Sequence, residues 1–327
     1  MFRWMPSGNE SVRNGVRRSS LSVSPCLLRQ LWNTIAERMD YAVVEDVSKQ
    51  LYIFALKTIP PDVIAALQRS LDIETSVSAR GILETILRNI RVAEDTTNLV
   101  CQDTGLPVYK VRIGTRCSID GVKLRQAIVR GCERATSEHP LRSSIVHPLN
   151  RRNSQTNSGE RMPAIDYDFQ EADFLEITMV PKGSGSENMS FMKMCLPADG
   201  IDGIKRFVVE SVFNSGGNPC PPTIIGVGIG GTADLCAKLA KDAIIRPLGT
   251  HNPDAEVARL EDDLLDMVNK LGIGPMGLGG RTTCIGVNVE MAYTHMTMNP
   301  VAVNTQCWAA RRATARVWPS GEVRLGY

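Results

Sequence analysis

Apolar residues recur with regular spacing from about residue 60 to the C-terminal region. Apolar residues at every third or fourth position are typical of amphipathic helices, whereas short alternating or continuous apolar runs are typical of strands. The predicted helices are 60–71, 78–92, 122–136, 201–213, 233–244 and 254–271. The predicted strands are 108–113, 174–180, 223–227, 282–289 and 301–303. Because helices and strands intermingle, we expect an α/β (α+β) fold with a mixed sheet and packed helices.

Two kinds of segment interrupt this pattern. Residues 139–165 are polar and contain several Pro and Asn residues, which is typical of a long ordered or functional loop. Glycines concentrate in two places, with six between 216 and 231 and five between 272 and 280. Clustered glycine marks tight turns or backbone that approaches a ligand closely.

The first 38 residues differ from the rest of the chain. They contain six Arg and two Glu and are rich in Ser. This composition fits an organelle transit peptide, a disordered tail, or a start codon assigned too early, with Met39 as the true start. We therefore exclude 1–38 from the fold and predict one large domain over 39–327.

Composition narrows the class of protein. The 327 residues are 43% hydrophobic and 22% charged, which excludes a disordered chain, a collagen and a coiled coil. A net charge of +2 gives no argument for a nucleic-acid partner. Apolar runs fall short of the roughly 20 residues of a membrane span, so no membrane partner is expected. We predict a cytoplasmic protein, or an organellar one if residues 1–38 are a transit peptide.

The cysteines form two groups. The total of nine is odd and follows no secretory signal, so reduced thiols are more plausible than a disulfide framework. Three of them lie in predicted turns at the end of a helix or strand: Cys101, Cys220 and Cys307. The others have the neighbours of ordinary core or surface thiols: Cys26, Cys117, Cys132, Cys195, Cys236 and Cys284.

Cys101, Cys220 and Cys307 are candidate metal ligands. They lie 119 and 87 residues apart, far beyond zinc-finger or ferredoxin spacing. Three thiolates from distant turns would suit an iron–sulfur cluster in which one iron lacks a protein ligand and acts as a Lewis acid. Three buried thiols without metal are the alternative.

Two glycine-containing segments are candidate anion sites. Residues 226–231 match Gly-x-Gly-x-x-Gly between a strand and a helix, but no acidic residue ends a second strand. The segment has three possible interpretations: a dinucleotide site, an anion site at the start of a helix, or close packing of a strand on a helix. In residues 181–190, small residues expose backbone N–H groups and Lys182, Asn188 and Lys193 add donors, unless this is only a solvated loop. Asp103 is a plausible acid–base group.

Five motifs occur together and in order. They are Cys-Gln-Asp-Thr-Gly at 101–105, His-Pro-Leu at 147–149, Pro-Lys-Gly-x-Gly-Ser-Glu-Asn at 181–188, Asn-x-Cys-Pro-Pro at 218–222 and Cys-Trp-Ala-x-Arg-Arg at 307–312. Over about residues 40–318 the chain resembles the alpha subunit, or N-terminal domain, of the oxygen-sensitive class I iron–sulfur fumarate hydratases and L-tartrate dehydratases.

The resemblance implies a site and a cofactor. A 4Fe–4S cluster would be held by Cys101, Cys220 and Cys307, and its fourth iron would bind the substrate hydroxyl and a carboxylate oxygen. Asp103 would donate a proton to the leaving hydroxyl. The resemblance implies these substrate-binding residues: Gln102, Asp103, Arg142, Gly185, Asn188, Ser190 and Lys193.

The resemblance also implies a partner. Single-chain members of the family continue into a second domain that supplies the catalytic base, whereas this sequence ends at Tyr327. We therefore expect a separate beta subunit, with an α2β2 assembly as the expected form.

The substrate class follows from the resemblance, and its identity stays open. Ser186-Glu187-Asn188 and Leu106-Pro107 are more similar to fumarases, so the expected reaction is the reversible dehydration of (S)-malate to fumarate. L-tartrate dehydratase and mesaconate or citramalate hydratase are the alternatives. A non-catalytic iron–sulfur or zinc-binding protein, and a nicotinamide-dependent dehydrogenase, are rivals from other classes.

Overall fold

The computed structural model describes residues 38–327. The predictions of a transit peptide, a disordered tail or a start at Met39 therefore concern a stretch that lies, except for Arg38, outside the described residues. Cys26 lies outside them as well. None of the helices between 38 and 327 combines the length and hydrophobicity needed to cross a bilayer.

Eight α-helices form in the described part of the chain, and polar residues start several of them. Asp40 accepts a hydrogen bond from the Ala42 N–H at 2.8 Å, and Asp120 accepts one from the Val122 N–H at 3.0 Å. Such caps satisfy backbone donors that have no partner inside the helix. In chain order, α1 to α8 are Tyr41–Lys57, Pro61–Ile73, Val77–Thr96, Gly121–Glu138, Ser184–Glu187, Gly200–Ser215, Ala233–Ala243 and Ala255–Asn269.

Nine strands between residues 38 and 327 form two mixed sheets. In chain order, β1 to β9 are Leu106–Gly114, Ala164–Gln170, Leu175–Lys182, Phe191–Cys195, Thr223–Gly230, Cys284–Ala292, Asn299–Gln306, Ala313–Val317 and Val323–Gly326. The five-stranded sheet has the order β2-β1-β3-β8-β9, with β1 parallel to β2 and the other pairs antiparallel. The four-stranded sheet has the order β4-β7-β5-β6, with β5 parallel to β6.

Each sheet has its own apolar core. Tyr52 of α1 and Leu124 of α4 are buried with Tyr109 and Ile177 of the five-stranded sheet. Helices α6 and α8 bury apolar side chains against the four-stranded sheet. A third cluster packs α2 and α3 with Ile224 and with the residues after Cys307.

The expected fold class is confirmed, with two mixed sheets in place of one. The six predicted helices and five predicted strands correspond to observed elements. The prediction that regular elements begin at residue 60 was wrong, because α1 precedes it. Apolar residues on the flanks of α1, such as Val43 and Phe54, pack partly against the core beside its buried face, which blurs the helical period. Strands β2, β4, β8 and β9 were not predicted. Strands β8 and β9 are short, β4 is largely exposed, and β2 has no fully buried residue.

The glycines of the Gly-x-Gly-x-x-Gly segment allow strand and helix to pack closely. A Cβ atom at Gly226 would overlap the Ala240 carbonyl, and one at Gly228 would overlap the Cys236 carbonyl, both in α7. Of the three interpretations of this segment, close packing therefore accounts for these two glycines without a ligand.

Candidate active site

The strand registers bring the predicted loops together in pairs. In the five-stranded sheet Leu106 pairs with Lys182, so the loop of Cys101 lies beside the turn that begins at Gly183. In the four-stranded sheet Ile224 pairs with Gln306, so the loop of Cys220 lies beside Cys307. Each sheet thus contributes two neighbouring chain segments to the same region.

Gly183 is the point where the two pairs of loops meet. A Cβ atom built on this glycine would lie 3.8 Å from Cys307 Sγ and 3.6 Å from Asp103 Oδ2. The absence of a side chain there leaves room for a cysteine from one sheet and an aspartate from the other.

Asp103 is held on both carboxylate oxygens. Oδ1 accepts a hydrogen bond from the Gly105 N–H at 2.9 Å. Oδ2 accepts two from Ser184, from its N–H at 2.9 Å and from its hydroxyl at 3.1 Å. The Asp103 carbonyl also accepts a bond from Arg311 Nη1 at 2.8 Å. These contacts restrict the carboxylate to one orientation.

Cys101 opens the same loop and is partly exposed. Its Sγ accepts a hydrogen bond from the Asp103 N–H at 3.5 Å and donates one to Gln102 Oε1 at 3.5 Å. Gln102 itself is exposed. The sulfur, the amide and the anchored carboxylate therefore share one short loop.

Cys220 lies in a sharply bent backbone. Its φ angle of 55° falls in the left-handed region, which is uncommon for a residue with a side chain. Its carbonyl accepts a hydrogen bond from the Trp308 N–H at 3.1 Å, so the loops of Cys220 and Cys307 are joined directly. Backbone strain of this kind concentrates at functional sites.

The three thiols influence one another electrostatically. Burial raises the pKa of the Cys220 thiol, and the neighbouring Cys101 and Asp103 raise it further. Burial also raises the pKa of the Cys307 thiol, whereas the positive charges of Arg311 and Lys182 lower it. Cys101 also raises the pKa of the Cys307 thiol, so the Cys101 thiol affects both of the others electrostatically.

Three cysteine thiolates are a donor set of the kind that holds an iron–sulfur cluster. Between residues 38 and 327 no three His, Cys, Asp or Glu side chains converge as ligands of one ion. In a cluster each thiolate binds a different iron, so the sulfurs surround a larger body and do not converge on one point. Cys101, Cys220 and Cys307 are all partly exposed, whereas Cys132 and Cys284 are fully buried.

Three of the predicted substrate residues lie in segments that touch these loops. The Arg142 N–H donates to Thr104 Oγ1 at 3.0 Å, which joins the 140s loop to the loop of Asp103. A Cβ atom on Gly185 would lie 3.1 Å from the Asn218 carbonyl, near Cys220. Ser190 accepts a hydrogen bond from Asn304 Nδ2 at 2.8 Å.

Two of the predicted substrate residues, Asn188 and Lys193, lie on the exposed surface. Asn188 ends the one-turn helix α5 and is exposed. Lys193 lies in the largely exposed strand β4, where it pairs with Val301 of β7. Its side chain forms no hydrogen bond or ion pair with any residue of 38–327, so none ties it to the cysteine loops.

Lys182 was predicted as a donor for a bound anion, but its amino group is occupied by partners within the protein. It is 1% exposed, and its Nζ donates to the Thr305 carbonyl at 2.6 Å and to Ser186 Oγ at 2.8 Å. It also pairs with Glu187 Oε2 at 3.3 Å. Burial lowers the pKa of Lys182 to about 8. This lysine joins β3, α5 and β7 from within the protein.

Sequence reasoning missed Ser184 and Arg311 as individual residues. Both lie inside motifs that were singled out, at 181–188 and 307–312. No local pattern shows that Ser184 reaches an aspartate 81 residues earlier, or that Arg311 is buried. The signal that could have found these two residues was that both belong to the motifs.

The site is open to solvent. Gln102, Arg142, Ser184 and Asn188 are exposed. A cavity of about 440 Å³ lies between the two sheets, and another of about 620 Å³ lies between the five-stranded sheet and α7; none of the three cysteines lines either of them. The first cavity does border Ser190.

Comparison with known proteins points to one family. The model of the family described as "Fumarate hydratase (Fumerase)" matches residues 45–316. A putative L(+)-tartrate dehydratase subunit alpha from Methanocaldococcus jannaschii is 45% identical over 277 residues, covering 84% of this chain and 97% of the relative. The L(+)-tartrate dehydratase subunits alpha of Escherichia coli K12 and Shigella sonnei are each 36% identical over 259 residues, covering 79% of this chain and 85% of each relative.

Proposed function

Because this chain belongs to the fumarate hydratase family and is a hydro-lyase, we propose that it is the alpha subunit of a 4Fe–4S dehydratase for a 2-hydroxy dicarboxylate, with L-tartrate as the preferred substrate. The observation that supports this proposal most is the meeting of three cysteine loops beside an anchored aspartate. Gly183 lies next to both Cys307 Sγ and Asp103 Oδ2.

Each residue of the site has a proposed task. Cys101, Cys220 and Cys307 would hold the cluster, which when bound supplies a Lewis-acidic iron for the substrate hydroxyl. Asp103 would give a proton from its carboxyl group to that hydroxyl, which departs as water. Ser184 and Gly105 keep the carboxyl group in place.

The remaining residues would bind the two substrate carboxylates. Arg142 offers a guanidinium fork suited to bidentate contact with a carboxylate. Gln102, Gly185, Asn188, Ser190 and Lys193 complete the proposed set. A base removes the proton on the neighbouring carbon, so that the C–H and C–O bonds break and a C=C bond forms. We assign that base to the beta subunit.

The names of the relatives favour L-tartrate over (S)-malate. The relatives at 45% and 36% identity are named L(+)-tartrate dehydratase subunit alpha. This evidence supports the tartrate alternative better than the malate-to-fumarate reaction expected from the sequence motifs. Loss of water from L-tartrate gives the enol of oxaloacetate, which then becomes the keto acid without further help from the protein.

A beta-subunit partner is supported by two observations. The relatives are named as alpha subunits, and this chain covers 97% of one of them. The proposed substrate residues Gln102, Arg142 and Asn188 are exposed in the isolated chain. An active site that excludes water strengthens electrostatic contacts to the substrate, so a covering subunit would complete it.

The substrate proposal is tested by co-expressing the chain with its beta subunit and purifying the pair without oxygen. We expect kcat/KM for L-tartrate to exceed that for (S)-malate and (S)-citramalate by about 100-fold or more, because a site that hydrogen-bonds a substrate hydroxyl rejects analogues without it. A preference for (S)-malate would overturn the tartrate assignment and leave the hydro-lyase assignment intact.

The cofactor proposal has its own control. The wild-type pair should be brown and contain iron and inorganic sulfide, whereas Cys220→Ser should lose the colour and most of the iron. Cys117→Ser, which changes a partly exposed thiol outside the proposed site, should behave like wild type. A colourless wild-type protein that holds zinc would contradict the cluster.

A further inference from the structure

Three basic side chains close to the site are buried. Lys182 and Arg311 are each 1% exposed, and Arg312 is 6% exposed. Moving a charge out of water is costly unless an opposite charge or a full set of hydrogen bonds compensates it. Each of these residues therefore needs a partner.

Two of the three have a carboxylate. Lys182 Nζ lies 3.3 Å from Glu187 Oε2. Arg312 Nη2 lies 2.7 Å from Asp62 Oδ1, on α2. Their burial is explained by structural ion pairs.

Arg311 has no such partner within residues 38–327. Its Nη1 donates to the Asp103 carbonyl at 2.8 Å and its Nη2 to the Pro181 carbonyl at 3.3 Å. Its Nε is buried and has no hydrogen-bond acceptor there. Backbone carbonyls satisfy donors but carry no net charge, so the positive charge of Arg311 is left without a carboxylate.

Arg311 lies beside two segments of the three-cysteine site. It follows Cys307 by four residues, and its Nη1 contacts the backbone carbonyl of Asp103. Pro181, its other partner, precedes the turn at Gly183 that lies against Cys307 Sγ.

We propose that Arg311 is the counter-charge of the three-cysteine site and the residue that positions Asp103 through its backbone carbonyl. The proposal rests on the proposed cluster function. Thiolates that bind a cluster bring negative charge into a half-buried region, and a fixed guanidinium stabilises them. The two guanidinium nitrogens Nη1 and Nη2 of Arg311 also join the Asp103 loop to the end of β3.

The two tasks are separable by substitution. Arg311→Gln removes the charge and alters the fork. Arg311→Lys keeps a positive charge but has no planar fork, so it cannot hold the Asp103 and Pro181 carbonyls in the same geometry. Arg312 is the matched control, since it is adjacent, buried and already paired with Asp62.

The first measurement is iron release from the full chain, purified without oxygen and challenged with a chelator. We expect Arg311→Gln to lose iron about 10–100-fold faster than wild type, the range found for residues that support metal ligands. Arg311→Lys should release iron at close to the wild-type rate. Arg312→Gln should do so as well, although its thermal unfolding temperature should fall.

The second measurement is the effect on kcat and KM in the complex with the beta subunit. Arg311→Lys should lower kcat about 10–100-fold with little change in KM, because displacement of Asp103 affects proton transfer more than substrate binding. Arg312→Lys should change neither constant.

The outcomes distinguish the two proposals. If wild type binds no iron, the proposed function itself fails. If wild type binds iron and Arg311→Gln retains it as well as Arg312→Gln does, the counter-charge role is wrong. If Arg311→Lys keeps full kcat, the positioning role is wrong. If Arg311→Gln fails to fold, iron release is compared between Arg311→Met and Arg311→Lys instead. Faster release from Arg311→Met supports the counter-charge role, and equal release contradicts it.

Discussion

At the scale of single residues, Asp103 depends on a partner that is distant in sequence. Two of the three hydrogen bonds to its carboxylate come from Ser184, 81 residues further along the chain. The hydroxyl of Ser184 thus has a defined task, although this residue is exposed and would otherwise resemble any loop serine.

Ser184→Ala removes the hydroxyl donor and keeps the backbone N–H. A hydrogen bond contributes about 0.5–1.5 kcal/mol, so loss of one of three should lower kcat up to about 10-fold through misorientation of Asp103. KM should change little. Steady-state kinetics of the complex with the beta subunit measures both constants.

Ser137→Ala is the control for that substitution. Ser137 lies on the exposed side of helix α4, outside the site, and its hydroxyl donates to the Glu133 carbonyl, so its removal should leave kcat unchanged. If Ser184→Ala is as active as Ser137→Ala, the hydroxyl of Ser184 does not orient Asp103.

At the scale of elements, a buried glutamate joins two helices to a glycine loop. Glu74 lies between α2 and α3 and is 3% exposed. Its Oε1 accepts hydrogen bonds from the N–H groups of Thr75 and Ser76, and its Oε2 accepts one from the Arg281 N–H at 2.7 Å. Burial raises the pKa of Glu74, but these backbone donors outweigh it, and the pKa is lowered overall.

Glu74→Gln should therefore reduce stability in a pH-dependent way. A carboxyl group with a lowered pKa stabilises the folded state above its usual value of 4.5, and this stability is lost as pH falls through the folded-state pKa. At pH 7 we expect the free energy of unfolding to fall by about 1–3 kcal/mol. Urea denaturation at pH 7 and at pH 4 should show the difference shrinking at the lower pH.

Glu84→Gln is the matched control on α3. Glu84 is exposed and lies 4.0 Å from Arg80, so its replacement should change stability little at either pH. An equal loss of stability at pH 7 and pH 4 for Glu74→Gln would contradict the ionised hydrogen-bonded carboxylate.

At the scale of the whole molecule, the site lies at the meeting of two sheets and faces outward. One sheet provides the loops of Cys101 and Gly183, and the other provides those of Cys220 and Cys307. The five-stranded and four-stranded sheets each have their own apolar core. The packing of these two sheets therefore decides whether the three thiols can reach one cluster.

The exposed site predicts that the isolated chain is a poor catalyst. Co-expression with the beta subunit should give an α2β2 complex by light scattering, and turnover should require both chains. Mixing separately purified subunits without oxygen should restore activity in proportion to complex formation. Full hydro-lyase turnover by the alpha chain alone would contradict the proposed assembly.

Much of the local structure was predictable. The helix at Val77–Thr96 and the strand at Leu106–Gly114 follow their apolar periods, since each period reflects one buried face. Strand β4 was not predictable, because Met192 and Met194 are exposed and leave no alternation to detect. The motifs singled out Cys101 and Cys220 before any contact was known, and the family they indicated is confirmed by the match over 45–316.

The sequence by itself determined most helices and strands, the family and the three candidate cysteines, because these depend on residues near one another in the chain. Only the tertiary structure decided that Ser184 holds Asp103, that Lys182 is buried with Glu187, and that Arg311 is buried without a carboxylate. Those contacts join segments up to 208 residues apart. The contacts of Asp103 with Ser184 and Arg311 depend on how distant strands pair in the five-stranded sheet, and the contact of Lys182 with Thr305 depends on how the two sheets meet. No local pattern of side chains encodes either arrangement.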